Sequence, residues 1–430
     1  NDYHPKAGGP AVDTGAAALA GQNALPTDLD GNPRPQGAGY DIGAYELVAN
    51  TPKGTQTTLS ASGSDPSYTT QSLSFTAAVS GGVPNGETVN LDDASNNNVV
   101  IATGTLSGGT ATIAVPAGTL SVGPHILVAV YGGDPNFAAS QSVAYTQTVV
   151  PAWLSANSQA TWNPLTHTLT VTGSATLIAD PGSDEPNIVE SGPAAQLKIQ
   201  PATGPTDIHV GGISLSNGAS LQVVSVGASR THANHNVLVV GTLGASADPT
   251  FSIDATSKLD LADNDLVLHV GTSDTSGAAA YNTVFAQAKT GRHGDAATPD
   301  GTWSGFGLSS SSATAADAAA GYEQVALGVV NNNQLMFGSL SQWSVGSASE
   351  NLGANDVIVK YTYVGDYALE GMVSGDDAGI LQVQFDKGAS NTHNWATGST
   401  LWDGLADDNE AGVFQIQYGL GTGGKNGSQL

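Results

Sequence analysis

Gly211-Gly212-Ile213-Ser214-Leu215-Ser216-Asn217-Gly218-Ala219-Ser220-Leu221 has the form of one rung of a stacked β-structure and its turn. Apolar residues alternate with serines, the two-residue period of a strand with one buried face. Asn217-Gly218 then supplies turn residues that tolerate left-handed backbone. Outward from this phrase, strand-like pieces recur at irregular intervals of about 20 residues. They are 168–172, 196–199, 213–215, 220–224, 237–240, 259–261 and 266–270. This spacing predicts a β-solenoid-like region, or an irregular β-stack, over residues 151–290, each layer packing only on its neighbours. Asn264-Asp265 is expected in a turn.

Residues 51–150 form a different block. Thr57-Thr58-Leu59-Ser60, the clean alternation Leu73-Ser74-Phe75-Thr76-Ala77-Ala78-Val79, and Thr88-Val89-Asn90-Leu91 before an Asp92-Asp93 turn read as strands. Ala111–Val115, His125–Tyr131 and Ala144–Val149 follow. Short strands at regular spacing predict an antiparallel β-sandwich. The run Val130-Tyr131-Gly132-Gly133-Asp134-Pro135-Asn136-Phe137-Ala138-Ala139-Ser140 resembles the end of a bacterial Ig-like repeat, the module that spaces adhesins from a cell. Tyr131 and Phe137 are expected to be packing residues.

At the front stand Gly9-Pro10-Ala11-Val12-Asp13-Thr14-Gly15, Asp28-Leu29-Asp30-Gly31-Asn32-Pro33-Arg34 and Asp41-Ile42-Gly43-Ala44-Tyr45-Glu46. In this order they resemble the terminal coil of a right-handed parallel β-helix of large bacterial surface and secreted proteins. Such a coil cannot bury its apolar face alone. Residues 1–50 are therefore expected to be incomplete by themselves, with neighbouring-domain or homotypic contacts through residues 1–48. Asn1-Asp2-Tyr3 is unlike a translation start, so a processed or truncated N-terminus is expected.

Composition narrows the function classes. The chain has 430 residues, enough for several domains, with 55 Gly and 20 Pro but only 11% charged residues. Its surface must be covered by Ser, Thr, Asn, Gln and Gly. Acidic residues number 37 against 11 basic, a formal net charge of −26. That balance repels nucleic acid and anionic membranes and makes divalent cations natural counter-ions. Absence of cysteine removes disulfides, thiolate metal sites and cysteine nucleophiles. No apolar run reaches the ~18 residues of a membrane span.

Helical periodicity is sparse. The good helix candidate is Ala313–Tyr322, following a Ser cluster that ends at Ser312 and can cap it. It belongs to a connecting β-rich segment, 291–361. The phrases Leu259-Asp260-Leu261-Ala262-Asp263-Asn264-Asp265-Leu266, Gly301-Thr302-Trp303-Ser304-Gly305, Ala326-Leu327-Gly328-Val329 and Val357-Ile358-Val359-Lys360-Tyr361-Thr362-Tyr363-Val364-Gly365-Asp366 follow in order. They resemble the C-terminal half of large secreted proteins of planctomycete-like bacteria, where the segment leads into a dockerin-like pair of calcium loops. That resemblance makes 362–430 a degenerate dockerin-like tail with an attachment role.

An EF-hand-type loop places oxygen ligands at positions 1, 3, 5, 7, 9 and 12, with Gly at 6. In this frame Asp366, Glu370, Ser374 and Asp377 take positions 1, 5, 9 and 12, and Gly371 takes position 6. Ala368 departs from the pattern at position 3, where an Asn or Asp is usual. In a weaker second loop Asp403, Asp407 and Glu410 take positions 5, 9 and 12, while Ser399 and Leu401 replace the lead ligands. Calcium is thus the one cofactor that the sequence suggests. Trp395 and Trp402 are expected in the core of this tail.

Other constellations are weaker. His232-Ala233-Asn234-His235 does not share a face outside a helix and is expected at the surface. Asp180, Asp184 and Glu185 lie in a Pro/Gly-rich loop and are expected to form a solvated turn. No phosphate loop, nucleophile elbow or zinc signature is present, and no pair of carboxylates stands out for glycoside cleavage. The expectation is a mostly β, multi-domain, non-catalytic extracellular or cell-surface structural or adhesive protein, with a cell-surface or polysaccharide partner. The alternatives are a filament or sheath subunit joined head to tail through its N-terminal segment, and the accessory tail of a secreted polysaccharide-degrading enzyme.

Overall fold

The computed structural model describes residues 3–19, 21–48, 52–204, 206–227, 230–231, 234–292, 302–345, 348–384, 394–397 and 408–420. The chain divides into two compact units. One comprises Asn1–Asp65, Gln71–Thr119 and Pro124–Gln147; the other comprises Pro66–Thr70, Leu120–Gly123 and Thr148–Leu430.

In the first unit, Leu73–Val79 pairs antiparallel with Thr57–Ala61 on one side and Thr110–Val115 on the other. Alternate residues of Leu73–Val79 are buried, as its sequence period requires. A second sheet joins Thr88–Asp93 antiparallel to Val99–Thr105 and to Gly123–Tyr131. Phe75, Ile113, Val89, Leu91 and Leu127 are all 0% exposed and fill this sandwich. Each such side chain stabilises the fold by about 1.5–3 kcal/mol relative to exposure. At Gly104 the strand Val99–Thr105 presses on Thr110–Val115: a Cβ there would lie 2.7 Å from Ile113 Cγ1 and 2.9 Å from Thr112 O. Tyr131 is buried and Phe137 half-buried, the packing roles expected of them. Asp134 Oδ1 accepts from the backbone N–H of Asn136 and of Phe137, both at 2.7 Å, and shapes the turn between them.

Residues 3–48 of this unit are held by carboxylates. Arg34 Nε donates to Glu46 Oε1 at 2.7 Å, and Glu46 also accepts from the N–H of Gln36 and Asp41. Asp41 accepts from the N–H of Asp13 and Leu47, and Asp28 from the N–H of Asn32 and Glu46. Among the described side chains of this segment, only Asp28, Asp41 and Glu46 are buried. Tyr3, Leu25, Leu29, Ile42 and Val48 are all exposed.

The second unit is built on three ladders. Thr168–Val171, Asn187–Ser191, Gly212–Ser216 and Phe251–Ile253 stack in parallel, with Ala160–Asn163 antiparallel at the start. Ser174–Leu177, Gln196–Ile199, Ser220–Val223, Lys258–Asp260 and Gly307–Ser309 form a second parallel ladder. Asp207–Val210, Val237–Val240 and Asp265–Leu268 form a third. Antiparallel strands Val357–Tyr363 and Val325–Asn331 extend it. The chain visits the ladders in turn. Like residues therefore sit one above another: Leu197 on Leu221, Leu259 and Leu308, and Ile208 on Leu238 and Leu266. These stacks are buried; the first two ladders alternate buried and more exposed residues, whereas Val237–Val240 and Asp265–Leu268 of the third are buried on both faces and read as apolar runs.

Four α-helices are described: α1 (Ala278–Arg292), α2 (Ser311–Ala320), α3 (Gly375–Gln384) and α4 (Asp408–Gln417). The expected Ala-rich helix is α2, displaced by two residues. Its cap is Ser310, whose side chain accepts from Ala313 N at 2.9 Å, and it ends at Gly321 with φ 79°. α1 is a correction, because residues 278–290 lie where only β-structure was expected. Its buried residues Ala280, Val284, Ala288 and Gly291 recur at helical spacing. They are too small to stand out as an apolar stripe. Of Asn264-Asp265, Asn264 closes a turn through its N–H to Leu261 O at 2.9 Å, whereas Asp265 already opens a strand; both are fully buried.

Candidate functional site

The strand Val357–Tyr363 is buried along its whole length and delivers the chain into the loop that precedes α3. Asp366 Oδ1 accepts from Glu370 N at 2.9 Å, and Oδ2 from Gly371 N at 2.8 Å and from the Thr362 hydroxyl. Asp377 Oδ1 accepts from Tyr367 N at 2.7 Å and Ala368 N at 3.0 Å, and its Oδ2 from Ser374 N at 2.8 Å. Ser374 Oγ donates to Glu370 Oε1 at 2.7 Å. The loop thus brings together all four residues named for it from sequence. Gly371, at φ 82°, makes the turn, and Val373 is its buried anchor.

This loop is a concentrated charge problem. Asp366 and Asp377 are both fully buried. Burial, then the nearby Asp366, pushes Asp377 up to about 7. Burial also raises Asp366, against the attraction of Lys360. Lys360 is itself 0% exposed, and its Nζ donates to Leu369 O at 2.8 Å. Leu369 turns its carbonyl inward from a left-handed backbone, φ 58°. Trp395 closes the corner: its Nε1 donates to Asp366 O at 2.7 Å, and its ring covers Gly328, where a Cβ would lie 2.8 Å from Trp395 Cε2. Of the second expected loop, Asp403 and Asp407 lie outside the described residues, as do Ser399, Leu401 and Trp402. The backbone of Glu410 is in α4.

A second constellation was not legible as a site. His209 Nδ1 faces both carboxylate oxygens of Asp180 at 3.2 Å, and its Nε2 faces Glu350 Oε2 at 3.0 Å. His269 Nδ1 faces Asp356 Oδ2 at 2.7 Å, and its Nε2 faces Glu350 Oε1 at 3.1 Å. Only an imidazolium can donate from both ring nitrogens, so both rings are protonated. The carboxylates on each side raise His209 to about 10. They raise His269 to about 9 against its burial. Glu350 is half-buried, but its bonds to the two rings outweigh burial and hold it down at about 2. Asp207, two residues before His209, is pushed up to about 6 by burial and by Glu350. Asp180 therefore belongs to an ion network and not to the solvated turn expected of it. Asp184 accepts from Trp153 Nε1 at 2.6 Å.

His235 also departs from its expected surface position. It is 1% exposed, and its Nε2 bonds Asp265 Oδ2 at 2.7 Å. Asp265 further accepts from Trp343 Nε1 at 3.0 Å and Tyr361 N at 3.1 Å. Burial works to raise its carboxyl, but the interactions with His235, Arg230 and Lys360 hold it well below the usual range. His232 lies outside the described residues. Glu190 was not singled out in sequence; it is 0% exposed, between Val171 and Leu215 in the first ladder. Burial pushes it up to about 8, so it is neutral at pH 7.

A cavity of about 260 Å³ is lined by Gln200, Pro201, Ser225, Asn234 and Asn236 among others. A more apolar one of about 210 Å³ is lined by Tyr322, Glu323, Val364, Val413, Ile416 and Gln417. Neither lining brings two carboxylates together. Among the described residues, no helix is long and apolar enough to cross a membrane.

Residues 47–150 match the family model of the bacterial Ig-like domain (group 3). No curated protein matches the chain.

Proposed function

We propose that this chain is a non-catalytic structural or adhesive segment of a bacterial extracellular or cell-surface protein. The observation that carries the reading is the match of residues 47–150 to a bacterial Ig-like domain. The three ladders of the second unit support it, and we read them as a β-solenoid. Backbone hydrogen bonds along such ladders resist extension in the direction of stacking, and full aliphatic stacks keep each layer on the next. A polysaccharide or cell surface is the partner proposed for the exposed Ser, Thr and Asn of these layers. The test is binding of the purified chain to intact cells and insoluble polysaccharides, with turnover assayed in parallel. Retention without release of reducing sugar is expected; release of sugar would overturn the non-catalytic reading.

A second reading rests on residues 3–48, where the described apolar side chains Tyr3, Leu25, Leu29, Ile42 and Val48 are exposed while the buried side chains are carboxylates. A coil with an uncovered apolar face needs a neighbour. We propose a head-to-tail contact through this segment, which extends into a filament when the rotation does not close. Negative-stain microscopy and sedimentation of the wild type beside a Leu25→Ser/Leu29→Ser variant decide it. Filaments lost in the variant are expected, and a monodisperse wild-type monomer would overturn the reading.

A further inference from the structure

The outward side of the second ladder runs into the cavity of about 260 Å³. Register sets two rows on that side. Ser174, Gln196, Ser220 and Lys258 form one, and Thr176, Lys198, Gln222 and Asp260 the other. The residues between them point inward as the buried aliphatic stack. The ladder continues one residue further: Gln200 N donates to Leu177 O at 2.8 Å, and Val224 N to Ile199 O at 2.9 Å. Gln200 and Val224 thereby extend the outward side, and both line the cavity. Ser225 and Asn236 on its other walls are fixed in place. Ser225 Oγ donates to Asp263 Oδ2 at 2.8 Å; Asn236 Nδ2 donates to Asn264 Oδ1 at 3.1 Å, and its Oδ1 accepts from Thr206 N at 3.2 Å. The exposed amide of Gln200 makes no hydrogen bond among the described residues.

This chemistry narrows the occupant. The cavity lining is amide, hydroxyl and small apolar surface, with no aromatic ring and no charged side chain. Amides and hydroxyls both donate and accept, as every hydroxyl of a sugar does, and Pro201 and Val224 suit its C–H faces. A nucleobase would find no ring to stack on. Charge then selects among sugars. Lys198 is exposed two residues before Gln200 on the same side, and Lys258 lies two rungs on, about 10 Å along the stack. Neither pairs with a carboxylate among the described residues. Asp260, at the far end of its row, is occupied by Gln222 Nε2, Ala262 N and Ser311 N. The chain as a whole carries −26, but at physiological salt charges beyond about 8 Å are largely screened. The two lysines therefore dominate the field that a sugar on this side meets.

We propose that the cavity and the outward rows of the second ladder bind an acidic polysaccharide, one sugar seating its hydroxyls against Gln200, Ser225 and Asn236 while a uronate carboxylate meets Lys198. The proposal rests on the polysaccharide-binding reading above and deepens it by naming the surface and the class of sugar.

The test uses the whole chain, with polygalacturonate and alginate as acidic probes and methyl-esterified polygalacturonate as the same backbone without charge. Affinity electrophoresis and isothermal titration give the affinities. The wild type is expected to bind the acids several-fold more tightly than the ester. Lys198→Gln is expected to lose about two- to fivefold in affinity for the acids, the effect of one exposed charge, and to bind the ester as the wild type does. Gln200→Ala is expected to weaken acid and ester alike. Both side chains are exposed, so both variants are expected to keep the wild-type melting temperature. Equal affinity for acid and ester, binding to neutral polysaccharides alone, or variants that bind both probes like the wild type would overturn the proposal and leave the chain a polysaccharide binder through another surface. A wild type that binds no polysaccharide at all would overturn the underlying reading, and the proposal with it.

Discussion

His269 Nε2 stands 3.1 Å from Glu350 Oε1, and this contact ties the β-hairpin of Gln342–Val345 and Ala348–Asn351 to the end of the third ladder. The other oxygen of Glu350 meets His209. Asp180 and Asp356 flank the two rings, so five groups alternate in charge across the joint. Trp343, on the opposite strand of the hairpin, adds its bond to Asp265. Removing the centre of such a chain leaves two imidazoliums without their shared carboxylate. Glu350→Gln is expected to cost about 3 kcal/mol, in the range for breaking a largely buried pair. Hydrogen exchange should localise the loss to residues 342–345 and 348–351. Unchanged protection there would show that the hairpin is held by packing alone.

The same relay fixes a pH dependence. His209 and His269 are raised from 6.5 to about 10 and about 9, so the folded state keeps protons that the unfolded chain releases. Their stabilisation is complete below about pH 6.5 and is lost as pH rises through their folded values. Glu350 is lowered from 4.5 to about 2, so its share is present above 4.5 and lost as pH falls towards 2. The joint is strongest between these windows. The wild type is expected to lose stability from pH 7 to pH 10, and a His209→Gln/His269→Gln variant to show a flatter curve over that range. Equal slopes in urea titrations of the two would remove the histidines from the account.

Glu190 adds to the loss of stability at high pH through burial alone. Its pKa rises from 4.5 to about 8, so the folded state holds a proton over that interval and stability falls as pH climbs through it. A tenfold difference in proton affinity between the folded and unfolded chain corresponds to about 1.4 kcal/mol. Glu190→Gln keeps the shape and an oxygen for the N–H of Leu197 and can never ionise. It is expected to match the wild type near pH 4.5 and to exceed it by about 2–4 kcal/mol at pH 8 to 9. A variant no more stable than the wild type at high pH would mean that Glu190 ionises without cost.

Much of the strand pattern was legible because it depends on nearest neighbours. Leu73–Val79 alternates in sequence and in burial, and the rung at Gly212–Ser216 lies in a parallel ladder. That Asp366, Glu370, Ser374 and Asp377 come together was legible for the same reason, since their contacts are set by spacing within one short segment. The histidine relay joins residues 180, 209, 269, 350 and 356, supplied by separate loops and strands of the second unit. No local pattern connects them. Glu190 was hidden because one acidic residue in a strand normally marks the solvent face, whereas here it points into the stack. Lys360 lay inside a quoted phrase, but its burial depends on Trp343, which comes from a separate hairpin, and on the turn that brings Leu369 back to its Nζ.

The packing of α1 gives a prediction in which two effects of opposite sign compete. Gly291 is helical, and Ala is preferred over Gly inside a helix by about 1 kcal/mol. On an exposed helix Gly291→Ala would therefore stabilise. Here the helix presses on the strand Gly307–Ser309, and a Cβ at position 291 would lie 1.8 Å from Leu308 O and 2.5 Å from Leu308 C. That obstacle is backbone of the second ladder, which cannot swing aside as a side chain can. Displacing helix from strand would open the contact over Val284 and Ala288 as well, at a cost of about 1–3 kcal/mol or more for overpacking. The steric term exceeds the propensity gain. Gly291→Ala is expected to lower the melting temperature of the second unit, while Ala286→Gly, on the exposed side of α1, costs only the ~1 kcal/mol of helix propensity. A stabilised Gly291→Ala variant would show that α1 does not approach the ladder this closely.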